Sequence, residues 1–145
     1  MFKKIDQAAA CKLLNQIISH ELIGVIKYTH YSIMVTGSIR SSFESFFKQQ
    51  ATESLSHAQL AGELLTNLGG YPVMNIQHNI ESQSHDVEKI LHESIEHEET
   101  ASKQYTEFFN LVKEKSIYLE EYARGMISKE EMHTLEMRKM LKSFR

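Results

Sequence analysis

Apolar residues recur at steps of three and four along four long stretches of this chain, and very little interrupts them. Pro72 is the only proline, and there are six glycines in 145 residues. A chain cut into many short strands needs far more turn formers than that, so the pattern predicts a few long helices. At 41% hydrophobic residues the chain can fill one core, and one domain over residues 1–145 is expected.

The spacing predicts a first helix from about Asp6 to Thr36, broken at Gly37-Ser38. Ser41 and Glu44 read as an S-x-x-E capping box that opens a second helix, and this helix lasts to about Leu68. Gly69-Gly70 followed by Pro72 is a strong stop. A polar, unpatterned stretch runs from Tyr71 to about Ser82. The third helix is expected from about Gln83 to Lys113, with Asp86 and Glu88 near its positive end. Ser116 can cap the fourth, which reaches about Lys142 and carries Arg138, Lys139 and Lys142 near its negative end. Gly125 lies inside this helix at a cost of about 1 kcal/mol against alanine, which points to close contact or a local bulge there.

The link between the second and third helices sets the topology. Its roughly 12 residues reach about 40 Å when extended, and a helix of roughly 28 residues is about 42 Å long. The link can therefore run nearly the full length of a bundle, whereas the other links are short. The expected fold class is all-α: a four-helix bundle of two antiparallel hairpins joined by a long crossover. A weak internal echo supports two related hairpins. Glu21-x-x-Gly24-x-x-x-Tyr28 matches Glu98-x-x-Ala101-x-x-x-Tyr105, and a histidine follows each on the next helix, His57 and His133.

The charges exclude several classes of function. The net charge is −3 with both signs interspersed, so no basic face for nucleic acid stands out. Cys11 is the only cysteine; no internal disulfide is possible, which fits a reducing compartment. Ala8-Ala9-Ala10-Cys11 has a superficial likeness to a lipoprotein cleavage site. The short stretch before it carries Asp6 and Gln7, so it does not read as a signal sequence. No apolar run approaches the roughly 20 residues that span a bilayer, and a soluble, cytoplasmic protein is expected.

The informative residues are carboxylates on apolar stripes. Leu14, Ile17, Val25 and Tyr28 share a face with Glu21, and Leu91, Ile95, Ala101 and Tyr105 share one with Glu98. Met126, Ile127, Met137 and Leu141 share a face with Glu130 and His133, and Ala61, Leu64 and Leu68 share one with His57. An unpaired buried carboxylate costs several kcal/mol, and no lysine or arginine lies on these stripes near mid-bundle. Three glutamates and two histidines meeting in one core call for metal. Glu130 and His133 lie one turn apart and can bind the same ion. A pair of metals in such a bundle takes one glutamate from each of two helices and a Glu-x-x-His pair from each of the others. Carboxylate with imidazole and no thiolate suits iron or manganese better than a structural zinc cage. Tyr28 and Tyr105 are placed to hydrogen-bond the ligands. A single Glu-x-x-His is common on exposed helices; the matched set across four helices is what makes the pattern specific. The remaining histidines, His20, His30, His78, His85, His92 and His97, lack a consistent inward partner and read as surface residues. His97 is turned about 100° from Glu98.

These residues also carry a family likeness. His20-Glu21-Leu22-Ile23-Gly24-x-x-x-Tyr28 resembles the first-helix motif of bacterioferritins, a branch of the ferritin-like superfamily. Glu53-Ser54-Leu55-Ser56-His57-Ala58 with Leu68-Gly69-Gly70-Tyr71-Pro72 resembles the second-helix end, and Glu130-Glu131-Met132-His133 the fourth-helix ligand pair. The resemblance implies a ferritin-like fold and a ferroxidase in which Glu21, His57, Glu98, Glu130 and His133 bind two iron ions. These would be Fe(II), oxidised to Fe(III) by oxygen or peroxide. It further implies storage of the product as mineral inside a 24-subunit homo-oligomeric shell.

Three departures qualify that expectation. The family's second-helix bridging glutamate falls at Ser54, whose hydroxyl is a poor substitute for a charged bridge. Glu53 is the candidate replacement, about 40° to one side of His57 where position 54 lies about 60° to the other. The alternative is an asymmetric or single-metal site. The family's haem methionine falls at Leu55, which has no donor atom, so haem is not expected. The sequence ends at Arg145, without room for the family's short fifth helix, which makes a shell less secure than the bundle. Besides iron storage, two readings stay open. One is a non-storage di-iron oxidoreductase, such as a rubrerythrin-like peroxidase, which lacks Cys-x-x-Cys motifs here and would need a separate electron donor. The other is a helical scaffold with a decayed site.

Overall fold

The computed structural model describes residues 2, 4–73, 76 and 86–144, and the four expected helices stand in the expected order. α1 spans Gln7–Met34, α2 Arg40–Asn67, α3 Val87–Val112 and α4 Ile117–Leu141, closed by a 3-10 turn at Lys142–Phe144. No strand occurs among the described residues. No helix among them is long and apolar enough to cross a membrane.

Three helices start where a side-chain oxygen satisfies an otherwise orphaned backbone N–H. Asp6 accepts from the N–H of Ala9 at 3.1 Å, Asp86 from Glu88 at 3.2 Å and Ser116 from Leu119 at 3.3 Å. α2 departs from expectation. Its cap is Ile39, which makes no side-chain hydrogen bond, and Ser41 lies within the first turn, so the capping box does not form. Gly37, at φ 102°, turns the chain so that its own carbonyl takes the N–H of Arg40. Glu44 is claimed instead by Arg40 at 3.6 Å and Lys48 at 2.9 Å. The stop at the end of α2 holds, with Gly69 at φ 83°. At the C-terminal end of α4, Arg138 and Lys139 occupy the last turn as expected. Gly125 supports neither close contact nor a bulge: α4 runs unbroken through it, and a Cβ there would meet nothing within 4 Å. The expected first turn of the third helix, residues 83–85, lies outside the described residues. So does most of the polar stretch before it.

Two apolar clusters fix the direction of each helix. One joins Leu14 and Ile17 of α1, Leu64 and Leu65 of α2, Tyr105 and Phe108 of α3, and Leu119 and Ala123 of α4. The other joins Tyr28 and Tyr31, Phe43 and Phe47, Ile90 and Leu91, and Met137 and Leu141 of the same four helices. From the first cluster to the second, α1 and α4 run with the sequence and α2 and α3 against it. The helices thus form two antiparallel hairpins, and α2 ends at the pole opposite to the one where α3 begins. This is the arrangement that the link length predicted. A layer of polar side chains is enclosed between the two clusters.

Candidate metal centre

All five inward residues reach that layer. Glu21 of α1, His57 of α2, Glu98 of α3, and Glu130 and His133 of α4 are each at most 7% exposed. The local cause is helical periodicity: Leu14, Ile17, Tyr28, Leu91, Tyr105 and Met137 on the same stripes are fully buried, and they carry the acids inward with them.

The donor atoms fall into two groups, one of Glu21, His57 and Glu130, the other of Glu98, Glu130 and His133. Within each group they lie within 4.8 Å of one another, and Glu130 belongs to both. His57 Nδ1 stands 2.8 Å from Glu21 Oε2 and 3.8 Å from Glu130 Oε1, while His133 Nδ1 is 4.0 Å from Glu130 Oε2. Glu21 Oε2, Glu130 Oε2 and His133 Nδ1 close no hydrogen bond of normal geometry. Among the described residues, the ion pairs of arginine and lysine all lie elsewhere.

Such a cluster strains against ionisation. Burial raises the Glu21 carboxyl above its ordinary range; His57 pulls it down, and Glu98 adds to the rise. Burial also drives Glu130 far above that range, with Glu98 and then Glu21 adding to the shift. Unsatisfied oxygen and nitrogen donors that converge without a lysine or arginine among them match the donor set of hard to borderline divalent cations. The residues present therefore fit a metal pair.

Two tyrosines face the acids of the helix opposite their own, and one of them grips its acid. Tyr28 of α1 donates to Glu98 Oε1 at 2.5 Å. The Tyr105 hydroxyl of α3 faces Glu21 without closing a hydrogen bond of normal geometry. Burial first, and then the nearby carboxylates, holds both phenols well above their ordinary range, so they stay protonated donors.

Ser54 is 5% exposed and faces the interior, one turn from His57. Glu53 is not in either donor group; its Oε2 lies 2.9 Å from His133 Nε2. Leu55 is 43% exposed. His97 is a correction: it is buried at 4%, not at the surface. Its ring stacks on His20 at 3.9 Å, and His20 Nε2 meets the His97 carbonyl at 2.8 Å. Burial, then the charges of His20 and Lys27, pushes the His97 imidazole down to about 2, so it is neutral. The missed signal was a second stripe on α3, where Ile90, Ser94, His97 and Ala101 follow one another at steps of three and four. His78 and His85 lie outside the described residues.

Gly24 leaves room for that ring. A Cβ there would sit 2.7 Å from His97 Nε2 and 2.9 Å from Ser54 Oγ. Overpacking costs about 1–3 kcal/mol, and alanine regains about 1 kcal/mol of helix preference. Gly24→Ala is expected to lower the urea midpoint by a net loss of about 1 kcal/mol that disappears in a His97→Ala background. An equal loss in both backgrounds would show that His97 is not the obstacle.

Comparison with known proteins agrees with the four-helix fold. The dodecameric thioferritin of Bacteroides fragilis, a bacterioferritin-related protein, superposes with a TM-score of 0.90 at 23% identity over 97% of this chain and 89% of that one. A ferritin-like diiron-carboxylate protein of Bacillus anthracis gives 0.87 at 23% identity, over 97% and 99% of the two chains. The bacterioferritin of Desulfovibrio desulfuricans, whose structure contains a diiron site, gives 0.81 at 19% identity, over 94% and 80%. At these identities the likeness establishes the fold. No curated protein sequence matches the chain. The profile of the ferritin-like domain matches residues 11–145, from within α1 to the last residue, and the chain belongs to that family.

Proposed function

We propose that this protein oxidises Fe(II) at a pair of positions between its four helices and stores the ferric product. The reading is carried by two groups of donors that share one buried carboxylate, Glu130. Glu21, His57 and Glu130 would hold one ion, and Glu98, Glu130 and His133 the other. Three carboxylates and two neutral imidazoles balance two divalent ions to within one charge. Tyr28 keeps Glu98 from turning away, the Tyr105 hydroxyl faces Glu21, and the apolar clusters above and below exclude water, which strengthens every charge interaction in the layer. Fe(II) is the substrate: a pair of ions gives up two electrons to oxygen or peroxide. Manganese or zinc suits the same donors as a competitor, and Leu55 offers no ligand for haem.

Storage needs an enclosed volume, hence a homo-oligomer. The thioferritin that superposes here is dodecameric, and the resemblance to bacterioferritins implies 24 subunits; a closed shell of the 16.8 kDa chain, one domain each, is the proposed assembly. A reducing cytoplasm, which keeps iron in the ferrous state, is the proposed setting.

Adding Fe(II) to metal-free protein under oxygen or peroxide tests this reading. The oxidant should be consumed, mineral should accumulate in a high-mass particle, and Glu98→Ala should slow oxidation at least about 100-fold. Rapid peroxide turnover without mineral would point to the rubrerythrin-like peroxidase instead. Protein that retains no iron, manganese or zinc, with a mass of one or two subunits, would leave only a helical scaffold.

A further inference from the structure

The role of Glu53 follows from which edge of His133 it touches. An imidazole has two nitrogens flanking Cε1 whose donor directions diverge widely, and a metal-binding histidine offers one to the ion and uses the other to fix its orientation. His133 Nδ1 is unpartnered and lies on the side of Glu130 Oε2, at 4.0 Å. His133 Nε2 is 2.9 Å from Glu53 Oε2. Glu53 thus contacts the nitrogen other than the one nearest Glu130, and it joins neither group.

We propose that Glu53 is a positioning residue: its carboxylate accepts the Nε2–H of His133 and holds that imidazole with Nδ1 turned towards Glu98 and Glu130. This rests on the metal-binding reading above. It also gives the glutamate beside Ser54 a job other than replacing a bridge. Position 53 points from α2 towards α4, so its carboxylate reaches His133. Its side chain is 35% exposed and lines a surface depression of about 510 Å³ with Gln50, Met132, His133 and Glu136. A carboxylate there keeps part of its hydration while it grips the ring, which a fully buried one does not.

The two ion positions are then inequivalent. His133 is anchored from behind by a carboxylate. The ion-pair contacts of His57 with Glu21 and Glu130 are all through Nδ1, and among the described residues no carboxylate contacts its Nε2. Loss of Glu53 should weaken one position and leave the other intact.

Nitrogen-15 NMR of the histidine side chains in metal-free protein reads the tautomer directly. Wild-type protein and Glu53→Gln should hold His133 as the Nε2–H tautomer, because an amide oxygen accepts the same proton; Glu53→Ala should give a mixture. Cobalt(II) titration is the second measurement. Glu53→Ala should still bind two ions, one of them about 10–100-fold more weakly, and Glu53→Gln should recover most of that loss. If glutamine is as damaging as alanine while the His133 tautomer is unchanged in both variants, Glu53 is a direct ligand and the proposal fails. A mixed tautomer in wild-type protein sinks it as well, whatever metal binds. Wild-type protein that binds no cobalt, by contrast, removes the functional reading, and with it any role of Glu53 at an ion.

Discussion

Alanine in place of Glu130 is expected to release both ions together, where loss of a ligand to one position should spare the other. Glu130 is the one side chain common to both donor groups, and at 1% exposure it has no water to replace it. Its two oxygens point to different neighbours: Oε1 lies 3.8 Å from His57 Nδ1 and Oε2 4.0 Å from His133 Nδ1. Removing it leaves Glu21 with His57 on one side and Glu98 with His133 on the other, two ligands each. That is too few for either ion to compete with hydration. Cobalt or anaerobic Fe(II) titration should fall from two ions per chain to none, with affinity lowered by more than about 100-fold. Glu21→Ala should instead retain one ion, bound by Glu98, Glu130 and His133. Two ions still bound to the Glu130→Ala protein would refute the shared-carboxylate geometry, since no other described side chain joins the two groups. The fold should survive, because the apolar clusters on either side of the layer do not depend on Glu130.

The second large effect is on stability against pH, and its sign reverses when metal is added. Burial raises the carboxyls of Glu21 and Glu130 in the folded protein, whereas in an unfolded chain a glutamate ionises near its ordinary value of about 4.3. Below that value both states hold the protons and nothing is lost. Above it the unfolded chain has released protons that the folded protein still holds, so stability falls as pH rises, and continues to fall until the folded groups ionise in turn. Each retained proton contributes a slope of up to about 1.4 kcal/mol per pH unit. The metal-free protein should therefore melt at a lower temperature at pH 8 than at pH 5.5. Metal binds the ionised carboxylates and displaces those protons, so affinity grows with pH. At about a thousandfold excess over Kd, each ion adds about 4 kcal/mol, and a chain of this size gains about 2–4 °C per kcal/mol. A rise in melting temperature of more than about 10 °C is expected at pH 8, and a much smaller one at pH 5.5. Calorimetry with and without Co(II) across that range checks both signs; a metal-free melting temperature that climbs from pH 5.5 to 8 would contradict the buried-acid account.

Most of the bundle, and part of this centre, could be read in the order of residues. The cap at Ser116, the stop at Gly69 and the inward faces of Glu21, Glu98 and Glu130 depend on neighbours within two turns of the same helix. Such spacing is local, so it is legible wherever the period is clean. Ser41 shows the limit even there. Its capping box required the helix to start two residues later than it does, and the turn at Gly37 won.

Contacts between helices were not legible in this way. Tyr28 shares a face with Glu21, yet its hydroxyl reaches Glu98, 70 positions away. Spacing puts His97 on an outer face beside Glu98, yet its ring is buried where Gly24 of α1 leaves room for it. Position along α2 makes Glu53 a substitute bridge, yet its carboxylate meets His133 Nε2. Each of these depends on how far one helix slides and turns against another. Spacing along a helix states which face a side chain occupies; the register between helices is set when Tyr28, Phe47, Leu91 and Met137 close one pole and Leu14, Leu64, Phe108 and Leu119 close the other. That choice is made by shape and volume across the whole core, and no local pattern of residues encodes it.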